Sequence, residues 1–241
     1  IYKKDIKEKL IDIKEDGTFK LDMTYFKYHR DFRMTSQKFH QLFGSPPREP
    51  QEELTQFHMN LASSIQAVTE EIIIRIACTL RKETDIENIC LAGGVALNCV
   101  ANGKLLEKKI FNNIWIQPAS GDAGSALGAA LVSWYEHFNK PRKVNPSDSM
   151  KGTYLGCNFS NEEIVHYLRK INASFETYQD NDLFEKIALQ LDEGKVIGWF
   201  NGPMEFGPRA LGGRSIIGDP RNKEMQRVMN MKIKYRESFR P

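Results

Sequence analysis

The chain has 241 residues, is 41% hydrophobic and 27% charged, and carries a formal net charge of +3. This is the composition of a soluble globular protein long enough for one large domain or two small ones, and so small an excess of base points to neither a nucleic-acid nor a membrane partner. No apolar run approaches the roughly 18 residues of a membrane-spanning helix. The four cysteines, Cys78, Cys90, Cys99 and Cys157, show no CxxC and no metal-ligand spacing. A reduced, cytoplasmic setting without a signal peptide is therefore expected, with Cys78 and Cys90 as small core residues.

Residues 1 to about 50 alternate polar and aromatic groups and end in GSPPREPQEE, which predicts short strands and loops. From Glu53 to Lys82 the pattern turns helical, with Leu61, Ile65, Val68, Ile72, Ile76 and Leu80 forming one apolar stripe. A short strand is predicted over Asn88–Leu91, broken by Gly93 and Gly94, then a helix through Lys108. A second strand over Asn113–Gln117 runs into PASGDAG and a small-residue helix over Ala123–Phe138. Two strand–glycine turn–helix units in succession imply an α/β fold, whose ligands bind at the carboxyl ends of the strands.

Residues Asn139–Met150, with two prolines and no apolar periodicity, read as a linker, and a domain boundary is placed near residue 148. A strand is then expected at Thr153–Leu155. A helix opens at Ser160 with Glu163 as its capping-box partner, and another covers Asp180–Asp192. A buried strand, Val196–Phe200, leads into the segment NGPMEFGPRALGGRS and a short helix over Asn222–Met231.

Three segments carry groups able to do chemistry. In LAGGVALN, Gly93 and Gly94 let the backbone approach an anion and Asn98 lies one turn into the next helix; a tight turn without a ligand fits equally well. In QPASGDAGSALGAA, Asp122 stands between Gly121 and Gly124 at a helix start, as a cap or as a metal or phosphate-Mg²⁺ ligand. Gly124, Gly128 and Ala129 fit close helix packing. In the third segment, glycines and prolines hold a rigid path around Arg209 and Arg214, with Ser215 adjacent. Guanidinium forks at such positions match a phosphate or a carbamoyl group. Beyond it, KIKYRESFR adds Lys234, Arg236 and Arg240, by themselves a solvated face or a nucleic-acid patch with Tyr235 and Phe239 interleaved, and beside the arginine segment a second basic wall. The five histidines show no HxxxH spacing and read as incidental.

Taken together, LAGGVALNCVANGKLL, QPASGDAGSALGAAL, FNGPMEFGPRALGGRSIIGDPR and KYRESFRP, with MTSQKFHQLFGSPPREP near the start, resemble the carbamoyltransferases of nodulation-factor and antibiotic tailoring. The resemblance covers nearly the whole chain. It implies residues 1–148 as the second half of an actin-like (ASKHA) carbamoyl-transfer module, and 149–241 as the first part of a YrdC-like, carbamoyl-adenylate-forming α/β module. It implies ATP and a divalent metal, iron or magnesium, as cofactors, with carbamoyl phosphate and a hydroxyl-bearing small molecule as substrates, and it allows a homodimer. Carried over by position, Asp122 corresponds to a metal ligand, flanked by Gly121 and Gly124. Gly93, Gly94 and Asn98 correspond to the nucleotide-binding turn. Arg209 and Lys234 correspond to basic residues of the adenylate-forming site, with Arg214 and Ser215 beside them. The family's HxxxH pair and a further aspartate lie upstream of the matching region, so the chain reads as a fragment, inactive by itself. The competing reading is an actin-like nucleotide-binding module without group transfer.

Overall fold

A computed structural model describes residues 1–49 and 51–237; Phe239 and Arg240 of the basic run lie outside the described residues. Two compact units are present, one from Ile1 to Gln117 and one from Pro118 onward.

The first unit is organised by one long helix. The chain enters through α1 (Lys3–Asp5), which continues as a π-helical turn over Ile6–Leu10, then the antiparallel pair β1 (Ile11–Ile13) and β2 (Phe19–Leu21) and a short helix α2 (Gln37–Phe43). The helix α2 had no sequence signal beyond its closing Gly44, which takes the left-handed conformation at φ 74°. The long helix α3 (Gln56–Thr84) matches the expected stripe and opens with a capping box of Thr55 and His58. Val68 and Ile72, on one side of α3, pack with Ile6, Leu10, Ile11, Tyr25 and Phe43. One turn further on, Ala77 packs against Leu105 and Phe111. The stripe thus divides between two apolar clusters, and Ile65, Ile76 and Leu80 sit at its exposed rim.

Strands β3 (Asn88–Leu91) and β4 (Asn113–Ile116) pair in parallel, Asn88 with Asn113 through Leu91 with Ile116, joined by α4 (Cys99–Glu107). Such pairing needs a crossover, and α4 supplies it. Cys90 faces the open side of β3, and Cys78, next to buried Ala77, is turned about 100° away from it around α3. Both are exposed, which corrects their assignment to the core. The period-2 and period-3.6 alternations point these side chains outward although their neighbours are apolar.

In the second unit, α5 (Asp122–Val132) continues as a π-helical turn over Ser133–His137, and no regular element covers 139–150. The helix α6 (Asn161–Lys170) opens with the expected reciprocal bonds, Glu163 N–H to Ser160 Oγ at 3.2 Å and Ser160 N–H to Glu163 Oε2 at 2.7 Å. The helix α7 (Asp180–Asp192) has the expected bounds. The strand expected at Thr153–Leu155 is absent. Gly152 and Thr153 have φ of 61° and 79°, which breaks an extended path. The segment is nevertheless held by backbone bonds to the loop ahead, Phe206 N–H to Thr153 O at 2.7 Å, Gly156 N–H to Met204 O at 2.8 Å and Met204 N–H to Cys157 O at 3.0 Å. An antiparallel hairpin of β5 (Ile197–Phe200) and β6 (Arg214–Ile217) follows, then α8 (Met225–Val228) with a π-helical turn over Met229–Ile233. The sequence reading missed β6, because its strand-forming residues directly follow a glycine pair and an arginine.

Candidate functional site

The first glycine turn leaves β3 at its carboxyl end. Gly93 has φ 94°, a conformation that favours glycine, and a Cβ on Gly93 or Gly94 would meet nothing within 4 Å. Packing within the described residues therefore does not demand glycine at 94; the space over the turn is open. Residues Gly94–Leu97 make a 3-10 turn, and Asn98 caps α4 by accepting the Ala101 N–H at 3.1 Å. The Asn98 side chain also bonds to α3. Its Nδ2 donates to Gln66 Oε1 at 2.9 Å, and Gln66 Nε2 donates back to Asn98 Oδ1 at 3.1 Å. Gln66 also donates to Glu70 Oε1 at 2.9 Å, and Lys104 donates to Glu70 Oε2. Glu70 is 7% exposed, and the Lys104 ammonium holds its carboxyl below the ordinary carboxylate range. Gln66, Glu70 and Lys104 were not singled out from sequence. The available signal was an i, i+4 pair of polar residues on the buried side of an apolar helix.

The second glycine turn opens the second unit. Asp122 is the exposed first residue of α5, and Gly121 before it makes no side-chain cap. A Cβ on Gly121 would meet nothing within 4 Å, whereas one on Gly124 would fall 1.9 Å from Ala119 O. Gly124 therefore serves the close turn of this segment onto its own helix. Asp122 supplies one carboxylate, and no group of three or more His, Cys, Asp or Glu gathers around it or elsewhere among the described residues. These residues do not make up a metal-ligand set.

The arginine segment joins β5 to β6 and is built on Glu205. This carboxylate is 8% exposed and its Oε1 accepts three main-chain N–H groups, Leu211 at 2.6 Å, Gly213 at 2.7 Å and Arg214 at 3.3 Å. Those donors, Leu211 first, pull its pKa down to about 2. A carboxylate saturated by backbone donors fixes the path of the chain, here the turn 205–214. Gly207, at φ 134°, lies where a Cβ would be 2.7 Å from Pro118 O, so the loop rests on the start of the second glycine turn. Glu205 was not singled out from sequence either; an acidic residue amid glycines, prolines and arginines was the signal.

The two arginines part company here. Arg214 donates from Nη1 to Gly202 O and Gly213 O, both at 2.9 Å, and from Nη2 to Cys157 O at 3.3 Å. Its guanidinium also stacks 3.4 Å from the Phe200 ring centre. Arg209 is exposed and makes no hydrogen bond or ion pair among the described residues. Ser215 accepts the Gly212 N–H at 3.1 Å. It shares with Lys234 an open cavity of about 690 Å³, to which Lys223 and Arg236 also contribute and which no carboxylate lines among the described residues. Arg236 reaches Asn230 Oδ1 at 2.7 Å. The structure thus brings Ser215 and Lys234 to one basic cavity, sets Arg214 into the wall of the loop, and leaves Arg209 displayed.

Known proteins match the sequence along most of the chain. Residues 2–131 match the model described as carbamoyltransferase N-terminus, and residues 188–241 match carbamoyltransferase C-terminus. The chain belongs to the carbamoyltransferase family. It is 58% identical over 98% of its length to an uncharacterised protein of Synechocystis sp., covering 39% of that protein. It is 40% identical over 78% of its length to nodulation protein NolO of Bradyrhizobium diazoefficiens, and 39% identical over 78% to nodulation protein NolNO of Sinorhizobium fredii, covering 34% and 27% of those proteins. The chain therefore spans between about a quarter and two fifths of the length of these relatives. No described helix is long and apolar enough to cross a membrane.

Proposed function

We propose that this chain is part of an ATP-using O-carbamoyltransferase, with the end of an actin-like carbamoyl-transfer module up to about residue 148 and the start of a YrdC-like adenylate-forming module after it. The observation that carries the reading is the loop between β5 and β6 held by Glu205, which displays Arg209, while Ser215 and Lys234 line a cavity whose charged side chains among the described residues are all basic. Forming an acyl adenylate requires neutralisation of phosphate charge in a preorganised setting, and fixed guanidinium and ammonium groups provide it without reorganising. The match to the carbamoyltransferase N- and C-terminal models favours carbamoyl transfer over a nucleotide-binding module without chemistry.

In this reading carbamoyl phosphate loses inorganic phosphate to one water, leaving carbamate. A carbamate oxygen attacks the α-phosphorus of ATP and pyrophosphate leaves, giving carbamoyl adenylate. An acceptor hydroxyl then attacks the carbamoyl carbon, its proton passes to solvent, and AMP leaves. Arg209 and Lys234 hold the phosphates in line, Arg214 keeps the loop in shape, and the open turn at Gly93 and Gly94 receives the nucleotide of the second step. Asp122 by itself makes no metal set, so no step is routed through a metal. The acceptor class is a hydroxyl of a sugar or natural product, and the setting is cytoplasmic.

The test uses a full-length protein carrying this sequence. ATP–pyrophosphate exchange should depend on carbamoyl phosphate and should fall by roughly a hundredfold in Arg209→Ala and in Lys234→Ala. Exchange at the original rate in both variants overturns the site assignment.

A further inference from the structure

We propose that Gln66 and Glu70 of α3 are positioning residues that set which way the Asn98 amide faces in the glycine turn. The proposal rests on the reading of that turn as a nucleotide site.

The argument follows the direction of each hydrogen bond. Lys104 can only donate, and its contact with Glu70 keeps that group a carboxylate, which can only accept. Facing an acceptor, Gln66 must present its NH₂ to Glu70 Oε1. Its Oε1 then has to accept, so Asn98 must turn Nδ2 toward Gln66. Asn98 Oδ1 is left to receive both Gln66 Nε2 and the Ala101 N–H. A fixed charge on α4 is thus relayed through α3 back to the capping residue of α4, and each amide in the chain has one allowed orientation. Asn98 Nδ2 carries two hydrogens and Gln66 takes one; the other has no partner among the described residues. It belongs to a half-buried side chain just after Gly93 and Gly94, where a Cβ would meet nothing. A helix cap alone does not need this relay, because Asp caps as well as Asn without any Nδ2 donor. The Ala101 N–H also selects Oδ1, so the cap and the relay enforce the same orientation, and what Gln66 and Glu70 add is a second anchor that holds Nδ2 in place beside the open turn.

The experiment measures Mg–ATP affinity by calorimetric titration of the full-length protein. An Arg209→Ala/Lys234→Ala background silences the second module so that the glycine turn reports alone. Asn98→Asp keeps the cap and loses the donor, and should weaken ATP by roughly tenfold. Gln66→Met keeps helix and volume and loses the relay, and should weaken it by a similar factor. Glu70→Gln lets the Gln66 amide turn either way and should weaken it by about threefold. The double variant Gln66→Met/Asn98→Asp should bind no more weakly than Asn98→Asp alone, because the donor that Gln66 positions is already gone. Melting temperatures report folding of each variant, and should Gln66→Met unfold, Glu70→Gln carries the test. Unchanged binding in Asn98→Asp overturns the reading of the turn itself. Weakened binding in Asn98→Asp with original affinity in Gln66→Met and Glu70→Gln overturns the positioning role alone, as does a double variant whose loss is the product of the two single losses.

Discussion

The glycine turn before α4 and the arginine loop between β5 and β6 are each built around a buried glutamate, yet the two carboxylates do different things. Glu70 is satisfied by side chains, Gln66 and Lys104, and what it fixes is the orientation of amides. Glu205 is satisfied by main-chain N–H groups of Leu211, Gly213 and Arg214, and what it fixes is the course of the backbone. Side chains can repack around a substituted partner, whereas backbone donors gathered on one carboxylate lose the group that holds their turn together. The arginine loop should accordingly be the more brittle of the two regions.

The widest gap is expected from the paired substitutions Glu205→Ala and Glu70→Ala. Glu205→Ala strands three N–H groups and should lower pyrophosphate exchange in the full-length protein by about a hundredfold or more, with new proteolytic cleavage within 203–213. Glu70→Ala should leave that exchange unchanged, since it acts on the other module. Equal losses of exchange in the two variants would break the comparison.

A second contrast lies in the glycines. Gly207→Ala adds a Cβ 2.7 Å from Pro118 O at φ 134° and should cost about 2–3 kcal/mol of stability in a denaturant titration. Gly94→Ala meets nothing, should shift stability by no more than about 0.5 kcal/mol, and should weaken Mg–ATP binding instead. Within the loop, Arg214→Ala should lower the melting temperature along with activity, because it vacates main-chain carbonyls and the Phe200 ring. Arg209→Ala should lower activity with the melting temperature unchanged. A stable Arg214→Ala protein would reverse their roles.

The smallest expected effect concerns acid. Lys7 and Lys3 hold the Glu71 carboxyl down at about 2, with Lys7 at 2.7 Å and Lys3 at 2.9 Å, and Arg75 lies at 2.7 Å. A carboxyl whose folded pKa lies below its unfolded value contributes stability above the unfolded value of 4.5, and that contribution fades as pH falls toward 2. Discounted for partial exposure, it amounts to about 1–2 kcal/mol. Glu71→Gln should flatten the loss of stability in acid titrations between pH 4.5 and 2. Glu205, held down to about 2 by backbone donors, should keep the arginine loop intact over most of that window and release it only near its lower end.

Much of this organisation was legible in the sequence. The period of α3, the Ser160–Glu163 cap, the bounds of α7 and the two strand–glycine–helix units all follow from local patterns that a few neighbouring residues enforce. Thr153–Leu155 had the residues of a strand and became a turn, because two positive φ values break the extended path and its bonds run to residues 204–206. Cys78 and Cys90 looked apolar in context and point outward, since burial depends on which face a neighbouring element covers.

For the site, the sequence by itself determined the inventory: glycines where the chain turns, two arginines within one glycine- and proline-rich segment, and the membership in a family that matching motifs express. Which member of each motif is displayed and which is consumed was decided only in three dimensions. Arg209 and Arg214 are five positions apart in one loop, and nothing local distinguishes them. Arg214 is tied by carbonyls of Gly202 and Cys157, the latter far off in sequence. Asn98 is oriented by Gln66, 32 positions earlier. A hydrogen bond is set by the distance and direction between two groups, and for groups so distant along the chain that geometry exists only after the backbone has folded.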